Sequence, residues 1–181
     1  MPESAADRVS KPVSAYVGIG SNLDGPVDRV GRAIEQLDAM TGCRVLDRSP
    51  LYRSAPMGPS DQPDFVNAVA RLQVTLAPRD LLAELLAIEA AHGRIRGGTR
   101  WGPRTLDLDL LIYSNLTIDE PGLEIPHPGL TSRNFVVYPL LRIAPDLVMP
   151  DGRKLADIAS ALSLEGLGEL GNHMAIEAHS S

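Results

Sequence analysis

Two aspartates and four arginines form the densest chemistry in this sequence. The run Arg94-Ile-Arg-Gly-Gly-Thr-Arg-Trp-Gly-Pro-Arg-Thr-Leu-Asp-Leu-Asp109 carries Arg94, Arg96, Arg100 and Arg104 within eleven residues, and no acid falls between Glu89 and Asp107. A guanidinium is a rigid planar fork that grips phosphate oxygens in pairs. Next to the arginines, Leu106 to Leu110 alternates strictly between Leu and Asp. In a strand this sets Asp107 and Asp109 on one face, about 6.8 Å apart at Cα, with Leu106, Leu108 and Leu110 on the other. Asp is disfavoured in strands, and two like charges on one face repel. A hard cation removes that repulsion: Mg²⁺ takes one or two carboxylates and fills its other positions with water and phosphate oxygens. The two carboxylates could instead pair with the nearby arginines. Four bases beside two acids still leave positive charge for an anionic ligand.

A second group could hold a flat ring. The chain has seven aromatic residues, and Phe65, Trp101 and Phe135 lie in or beside these segments. Asn67 shares a strand face with Phe65 and offers both a donor and an acceptor. Phe65 and Phe135 could equally be core residues. His127, between Pro126 and Pro128, sits on a restricted backbone, and His92 precedes a helix-ending glycine, where it can cap the C-terminus.

Two familiar phosphate loops are absent. Leu23 breaks the G-x-G-x-x-G pattern that starts at Gly18, and Pro26-Val27 stand where a P-loop beginning at Gly20 needs Lys-Ser/Thr. Of 17 basic residues 15 are Arg, and the lysines, Lys11 and Lys154, lie near the ends. Nucleotide phosphates would be held by Arg and metal, which suits phosphoryl transfer by positioning and charge neutralisation.

These residues need a scaffold. Val13 to Gly20 alternates as a strand, and a helix opens at Asp24-Gly25-Pro26 and runs to about Met40. Arg44 to Arg53 reads as a second strand, Ser54 to Pro63 as a Pro-rich loop, and Phe65 to Val74 as a third strand. Pro78 opens a helix that Gly93 closes, a loop spans Arg94 to Arg104, and Thr105 to Tyr113 is a fourth strand. The order βαββαβ predicts an α+β, ferredoxin-like fold: an antiparallel sheet with two helices on one face. Helices near Asn134–Arg142 and after Asp151 follow. Residues 1–12 are expected to be disordered, 13–162 to form one domain, and 163–181 to fray.

Composition narrows the function. With 181 residues, 44% of them hydrophobic, the chain can bury a core without staples. A net charge of −6 argues against a general nucleic-acid or membrane-surface binder. No apolar run is long enough to span a bilayer. The single Cys43 excludes an internal disulfide and a Cys-based zinc site, and points to a reducing cytoplasm.

The motifs Gly20-Ser-Asn-Leu23, Tyr52-Arg-Ser-Ala-Pro-Met-Gly58, Gln62-Pro-Asp-Phe-Val-Asn67, Arg100-Trp-Gly-Pro-Arg-Thr-Leu-Asp-Leu-Asp109, Pro126-His-Pro128, Arg133-Asn-Phe135 and Ile143-Ala-Pro-Asp146 occur in this order. From about Ala15 to Leu162 the chain resembles the 6-hydroxymethyl-7,8-dihydropterin pyrophosphokinases of folate biosynthesis. The resemblance implies pyrophosphoryl transfer from ATP to the pterin hydroxymethyl oxygen, with release of AMP; the expected partners are these small molecules, with no nucleic acid or membrane, and the chain is expected to be a monomer. It implies Asp107 and Asp109 as ligands of two Mg²⁺ ions and Arg94 and Arg104 as arginines that steady the triphosphate. Arg96 and Arg100 match loop residues over the nucleotide, and Glu89, Leu110, His127 and Arg133 match positions around it. Ser54, Ala55, Met57, Phe65, Asn67, Trp101 and Phe135 match the pterin pocket. Ser54 stands where Thr is usual, Leu86 where some relatives have Gln, and Arg142 where an acid is usual.

Two other functions use the same features. A non-catalytic pterin or nucleotide sensor would not need the Asp pair. A simple kinase would move only the γ-phosphate and release ADP.

Overall fold

A computed structural model describes residues 11–58, 60–93 and 105–171. Strand β1 (Val13–Ser21) leads through Gly25, at φ 68°, into α1 (Pro26–Ala39), with Pro26 in the first turn. A proline there loses nothing, because that N–H has no helical acceptor. Strands β2 (Cys43–Arg48), β3 (Tyr52–Ser54) and β4 (Phe65–Val74) follow, then α2 (Pro78–Ala91) and β5 (Asp107–Tyr113). A hairpin of β6 (Ile118–Glu120) and β7 (Leu123–Ile125) comes next, then α3 (Asn134–Ile143), α4 (Leu155–Ser160) and β8 (Leu167–Glu169).

The main sheet is antiparallel in the order β5-β1-β4-β3-β8, with β2 also paired to β4. Strands β2 and β3 lie end to end along β4 and together occupy one position of the ferredoxin-like sheet. The sequence predicts a single strand from Arg44 to Arg53, but the chain breaks at Ser49-Pro50-Leu51. Pro50 has no N–H to give a ladder. Ser49 bridges the gap: its N–H donates to the Val69 carbonyl at 2.8 Å, and its Oγ accepts the Val69 N–H at 2.9 Å.

Strand alternation sorts the core into two layers. Ala15, Val17 and Ile19 of β1, with Ala68, Ala70 and Leu72 of β4, pack against Val30, Ala33 and Leu37 of α1 and Leu81 and Leu85 of α2. Tyr16, Val69 and Leu111 face the other way and pack under Val137 and Leu140 of α3 and Leu155 of α4. Helices therefore cover both faces, where the βαββαβ order alone accounts for one.

The segment expected to fray from Ser163 contains β8. Its backbone pairs with β3, and Arg142 of α3 meets Glu169 at 2.6 Å. That ion pair accounts for an arginine at this position. Residues 1–10 and 172–181, assigned to the two tails, lie outside the described residues.

Candidate active site

The candidate site lies toward the C-terminal end of β1. One row of register partners runs Asp107, Gly20, Asn67, Tyr52 across β5, β1, β4 and β3. The next runs Asp109, Gly18, Val69. Partners in register share a face, and strands lie about 4.8 Å apart, so Asp107 and Asn67 are about 10 Å apart at Cα. Between them β1 presents only glycine. A Cβ on Gly20 would sit 2.9 Å from Asn67 Oδ1 and 4.0 Å from Phe65 Cδ1. The glycine leaves a bare floor between the acids and the amide.

Leu106, Leu108 and Leu110 are all buried, at 0%, 3% and 5%, in the α1/α2 layer. Asp107 and Asp109 are half-buried on the opposite face, as the alternation predicts. Beneath them is a buried carboxylate. Glu89 is 2% exposed, and its Oε1 accepts the Leu108 N–H at 2.7 Å. Strand β5 is the sheet edge, so this amide has no strand partner on its outer side. Glu89 thus holds the peptide between the two aspartates. The i, i+4 series Leu81, Leu85, Glu89 already sets this carboxylate on the buried stripe of α2.

His127 approaches from the loop after β7, where Ile125-Pro126 is cis. Its N–H donates to the Leu111 carbonyl at 2.9 Å, and its Nδ1 accepts the Gly129 N–H at 3.0 Å. With Nδ1 an acceptor, the ring proton sits on Nε2, which lies 3.9 Å from Asp109 Oδ1. Burial, opposed by the Asp109 carboxylate and helped by the Arg133 guanidinium, pushes the His127 pKa below the usual histidine value. The Arg133 guanidinium lies 6.0 Å from the centroid of the Phe135 ring. It also packs directly on Gly129, where a Cβ would meet it at 2.6 Å.

On the other side of Gly20, Asn67 is 6% and Ser54 4% exposed. Asn67 Nδ2 donates to Ser54 Oγ at 2.6 Å, which fixes the amide so that Oδ1 faces Gly20. Phe65 is half-buried at the end of the same strand face, and Phe135 is half-buried at the start of α3, against the second core layer. Ala55 and Met57 are exposed at the rim. The ends of these elements are tied together. Ser21 Oγ donates to the Thr105 carbonyl, and Asn22 Nδ2 donates to Gln62 Oε1 at 3.1 Å and the Pro63 carbonyl at 2.9 Å.

The fold thus brings Asp107, Asp109, His127, Asn67, Ser54 and Phe65 to one face, with Arg133 and Phe135 at its border. It does not bring the Leu110 and Glu89 side chains there, because both lie beneath the sheet. Arg94, Arg96, Arg100, Trp101 and Arg104 lie outside the described residues. Sequence reasoning missed the placement of Gly18 and Gly20: they are the small residues of an alternating strand, on the face of the two aspartates.

Among the described residues no group of three or more His, Cys, Asp or Glu forms a metal cage. Two half-exposed carboxylates beside bare glycine backbone fit a magnesium ion, which takes its remaining ligands from water and phosphate. Among the described residues no helix is long and apolar enough to cross a membrane.

Comparisons with known proteins identify the family. A 2-amino-4-hydroxy-6-hydroxymethyldihydropteridine pyrophosphokinase of Pseudomonas aeruginosa is 48% identical over 155 residues, 86% of this chain and 95% of that protein. The protein of the same description from Haemophilus influenzae is 43% identical over 146 residues, 81% of this chain and 91% of its own. A crystal structure of a Plasmodium falciparum HPPK-DHPS triple mutant with pteroate superimposes over 92% of this chain with a TM-score of 0.73 and 12% identity. This chain spans about half of that longer chain, 48%, and the likeness is one of fold. A family model described as 7,8-dihydro-6-hydroxymethylpterin-pyrophosphokinase matches residues 16–145, and the chain belongs to that family.

Proposed function

We propose that this protein transfers the pyrophosphoryl group of ATP to the hydroxymethyl oxygen of 6-hydroxymethyl-7,8-dihydropterin, a step of folate biosynthesis, and that Asp107, Gly20 and Asn67 set its geometry. The observation that carries this is the register row itself. It sets a carboxylate and a buried amide about 10 Å apart on one face, with a glycine floor between them.

The ring lies against Phe65 and Phe135, with its hydrogen-bonding edge on Asn67 and on the backbone of Ser54, Ala55 and Met57. A ring so held directs its hydroxymethyl arm along Gly20 toward the aspartates. The new bond joins the hydroxymethyl oxygen to the β-phosphorus. The bond from that phosphorus to the α–β bridging oxygen breaks, AMP leaves with the bridging oxygen, and the hydroxyl proton is released. Asp107 and Asp109 would hold the two magnesium ions, which would supply charge neutralisation on the triphosphate.

The protein's own groups position and shield. Glu89 fixes the peptide between the aspartates. Leu110 anchors the strand in the core. His127 keeps a proton on Nε2 toward Asp109, and Arg133 adds a cation beside it. Arg94 and Arg104 steady the transferred group, and Arg96, Arg100 and Trp101 contact nucleotide and pterin. We assign residues 13–162 to the catalytic domain. The single Cys43 and the net charge of −6 support a cytoplasmic monomer that works on small molecules and not on nucleic acid.

The nucleotide product tests this reading. Purified protein with Mg²⁺, ATP and 6-hydroxymethyl-7,8-dihydropterin is expected to release AMP in step with the pterin consumed, measured by anion-exchange chromatography. ADP in its place identifies a γ-phosphate kinase. Folded protein that binds both ligands without turnover identifies a sensor.

A further inference from the structure

Strand β8 and the residues before it touch both walls of the proposed pterin site without reaching the site. On one wall, β8 runs antiparallel along β3, with Ser54 opposite Leu167, Arg53 opposite Gly168 and Tyr52 opposite Glu169. The pairing extends past both ends of β3. The Ala55 N–H donates to the Gly166 carbonyl at 3.0 Å, and the Leu170 N–H donates to the Leu51 carbonyl at 2.8 Å. Gly166 adopts φ 74° with the Ala55 Cβ only 3.3 Å from where its own would be, so glycine is required for this approach. On the other wall, Asn134 opens α3 between Arg133 and Phe135. Its Nδ2 donates to the Ser163 carbonyl at 3.0 Å and the Glu165 carbonyl at 3.1 Å. Arg142, two turns along the same helix, donates to Glu169 Oε2 at 2.6 Å.

We infer that residues 163–170 are a strap that positions the pterin-recognition groups, and that Asn134 and the Arg142–Glu169 pair are its two fastenings. Without the strap β3 would be a three-residue edge strand held from one side, and the Ala55 N–H would lose its acceptor. Ser54 lies in that strand, and its Oγ fixes the direction of the Asn67 amide. Loss of the strap therefore loosens Ser54, Ala55 and Asn67 together, while Asp107 and Asp109 on β5, three strands from β3, keep their supports. The Arg142–Glu169 pair is about half exposed, at 51% and 40%. Exposed pairs contribute little to stability, so its effect falls on geometry more than on folding.

The inference rests on the pterin reading of this face, and the test separates the two. Asn134→Ala, Glu169→Ala and the exchanged pair Arg142→Glu with Glu169→Arg are compared with wild type by steady-state kinetics and thermal unfolding. Each single variant is expected to raise KM for 6-hydroxymethyl-7,8-dihydropterin roughly fivefold to tenfold through lost preorganisation. KM for ATP should stay within about twofold, the melting temperature should stay near wild type, and the exchanged pair should recover most of the loss. If both KM values rise together, or only the melting temperature falls, the strap is a stability element and the inference is overturned. Variants indistinguishable from active wild type overturn it as well. A folded wild type that neither binds nor turns over the pterin overturns the substrate reading, and the inference with it.

Discussion

On the α1/α2 face, β1, β4 and β5 present Ala15, Val17, Ile19, Ala68, Ala70, Leu72, Leu108 and Leu110, all buried. On the other face, neighbouring residues of the same strands present Gly18, Gly20, Asn67, Asp107 and Asp109. Strand alternation lets each segment serve a core and a polar site at once, since successive side chains point opposite ways. The second face is itself divided. Its Tyr16, Val69 and Leu111 end is sealed by α3 and α4, and the Gly20 end lies outside that apolar layer. A site built this way can be rich in charge without exposing the core, because the cost of its repulsion falls on solvated carboxylates. The two faces should therefore fail differently.

The sharpest break should come from the aspartates. Asp107→Ala and Asp109→Ala remove half-exposed carboxylates opposite the core. Each is expected to lower turnover by about 10³-fold or more, as for other lost electrostatic stabilisers, with an unchanged thermal melt. AMP release and circular dichroism check this together, and near-normal turnover in either variant would remove the metal assignment.

Leu72→Ala cuts the opposite face. Leu72 is fully buried in the α1/α2 layer. A core Leu→Ala change costs about 2–5 kcal/mol through lost burial and the cavity left behind. Urea unfolding should register that loss, and the KM values of the remaining folded protein should be unaltered. A change in pterin KM of the kind expected on the other face would show that the faces are coupled.

Gly20→Ala and Gly18→Ala divide the site face internally. A methyl on Gly20 would meet Asn67 Oδ1 at 2.9 Å, whereas on Gly18 it would meet Leu111 at an ordinary 3.5 Å. A displaced recognition group costs up to about a hundredfold in kcat/KM. Gly20→Ala is expected to lose tenfold or more within that bound, chiefly through pterin KM, and Gly18→Ala to stay close to wild type. Equal effects from the two would argue against the floor between Asp107 and Asn67.

The parts legible in the sequence are those with a strong period or a stop signal. The strand from Phe65 to Val74 matches its expected bounds, and the two helices begin at Pro26 and Pro78, where proline punctuation marks them. The Asp107/Asp109 face follows from the Leu-Asp alternation alone. The break at Pro50 and the β6–β7 hairpin around Pro121-Gly122 also carried turn residues, but their strands are too short for a period to emerge. Strand β8 had no such signal. Leu167-Gly-Glu169 is held by backbone pairing and by Arg142, 27 residues earlier, and no local pattern reveals an acceptor supplied from so far away. Glu89 was readable on two levels. Resemblance points to the nucleotide, and helical spacing with Leu81 and Leu85 points to the interior, which is where the side chain lies.

The smallest expected effect concerns the covered face and depends on pH. His92, at the end of α2, does more than cap that helix: its side chain crosses to α1. Arg29 Nη1 donates to Nδ1 at 3.0 Å, and Nε2 lies 2.5 Å from Gln36 Oε1, which accepts its proton. This pairing needs the neutral ring, since a protonated Nδ1 would set a donor against the guanidinium. Burial, with the Arg29 and Arg32 charges, accordingly holds the His92 pKa below the usual histidine value. In the unfolded chain the ring takes up its proton near pH 6.5, before the folded ring does. The contribution of His92 to stability is therefore complete above about pH 6.5, and it is lost as the pH falls through that value toward the lower folded pKa. His92→Gln should flatten this part of the profile. The urea midpoint of wild type minus variant, followed from pH 8 to pH 5, is expected to decline as the pH drops. His127 and the carboxylates are common to both proteins and largely cancel in that difference. A difference that does not change with pH would mean the Arg29–His92 contact does not form in solution, and that α1 and α2 are joined by their apolar stripes alone.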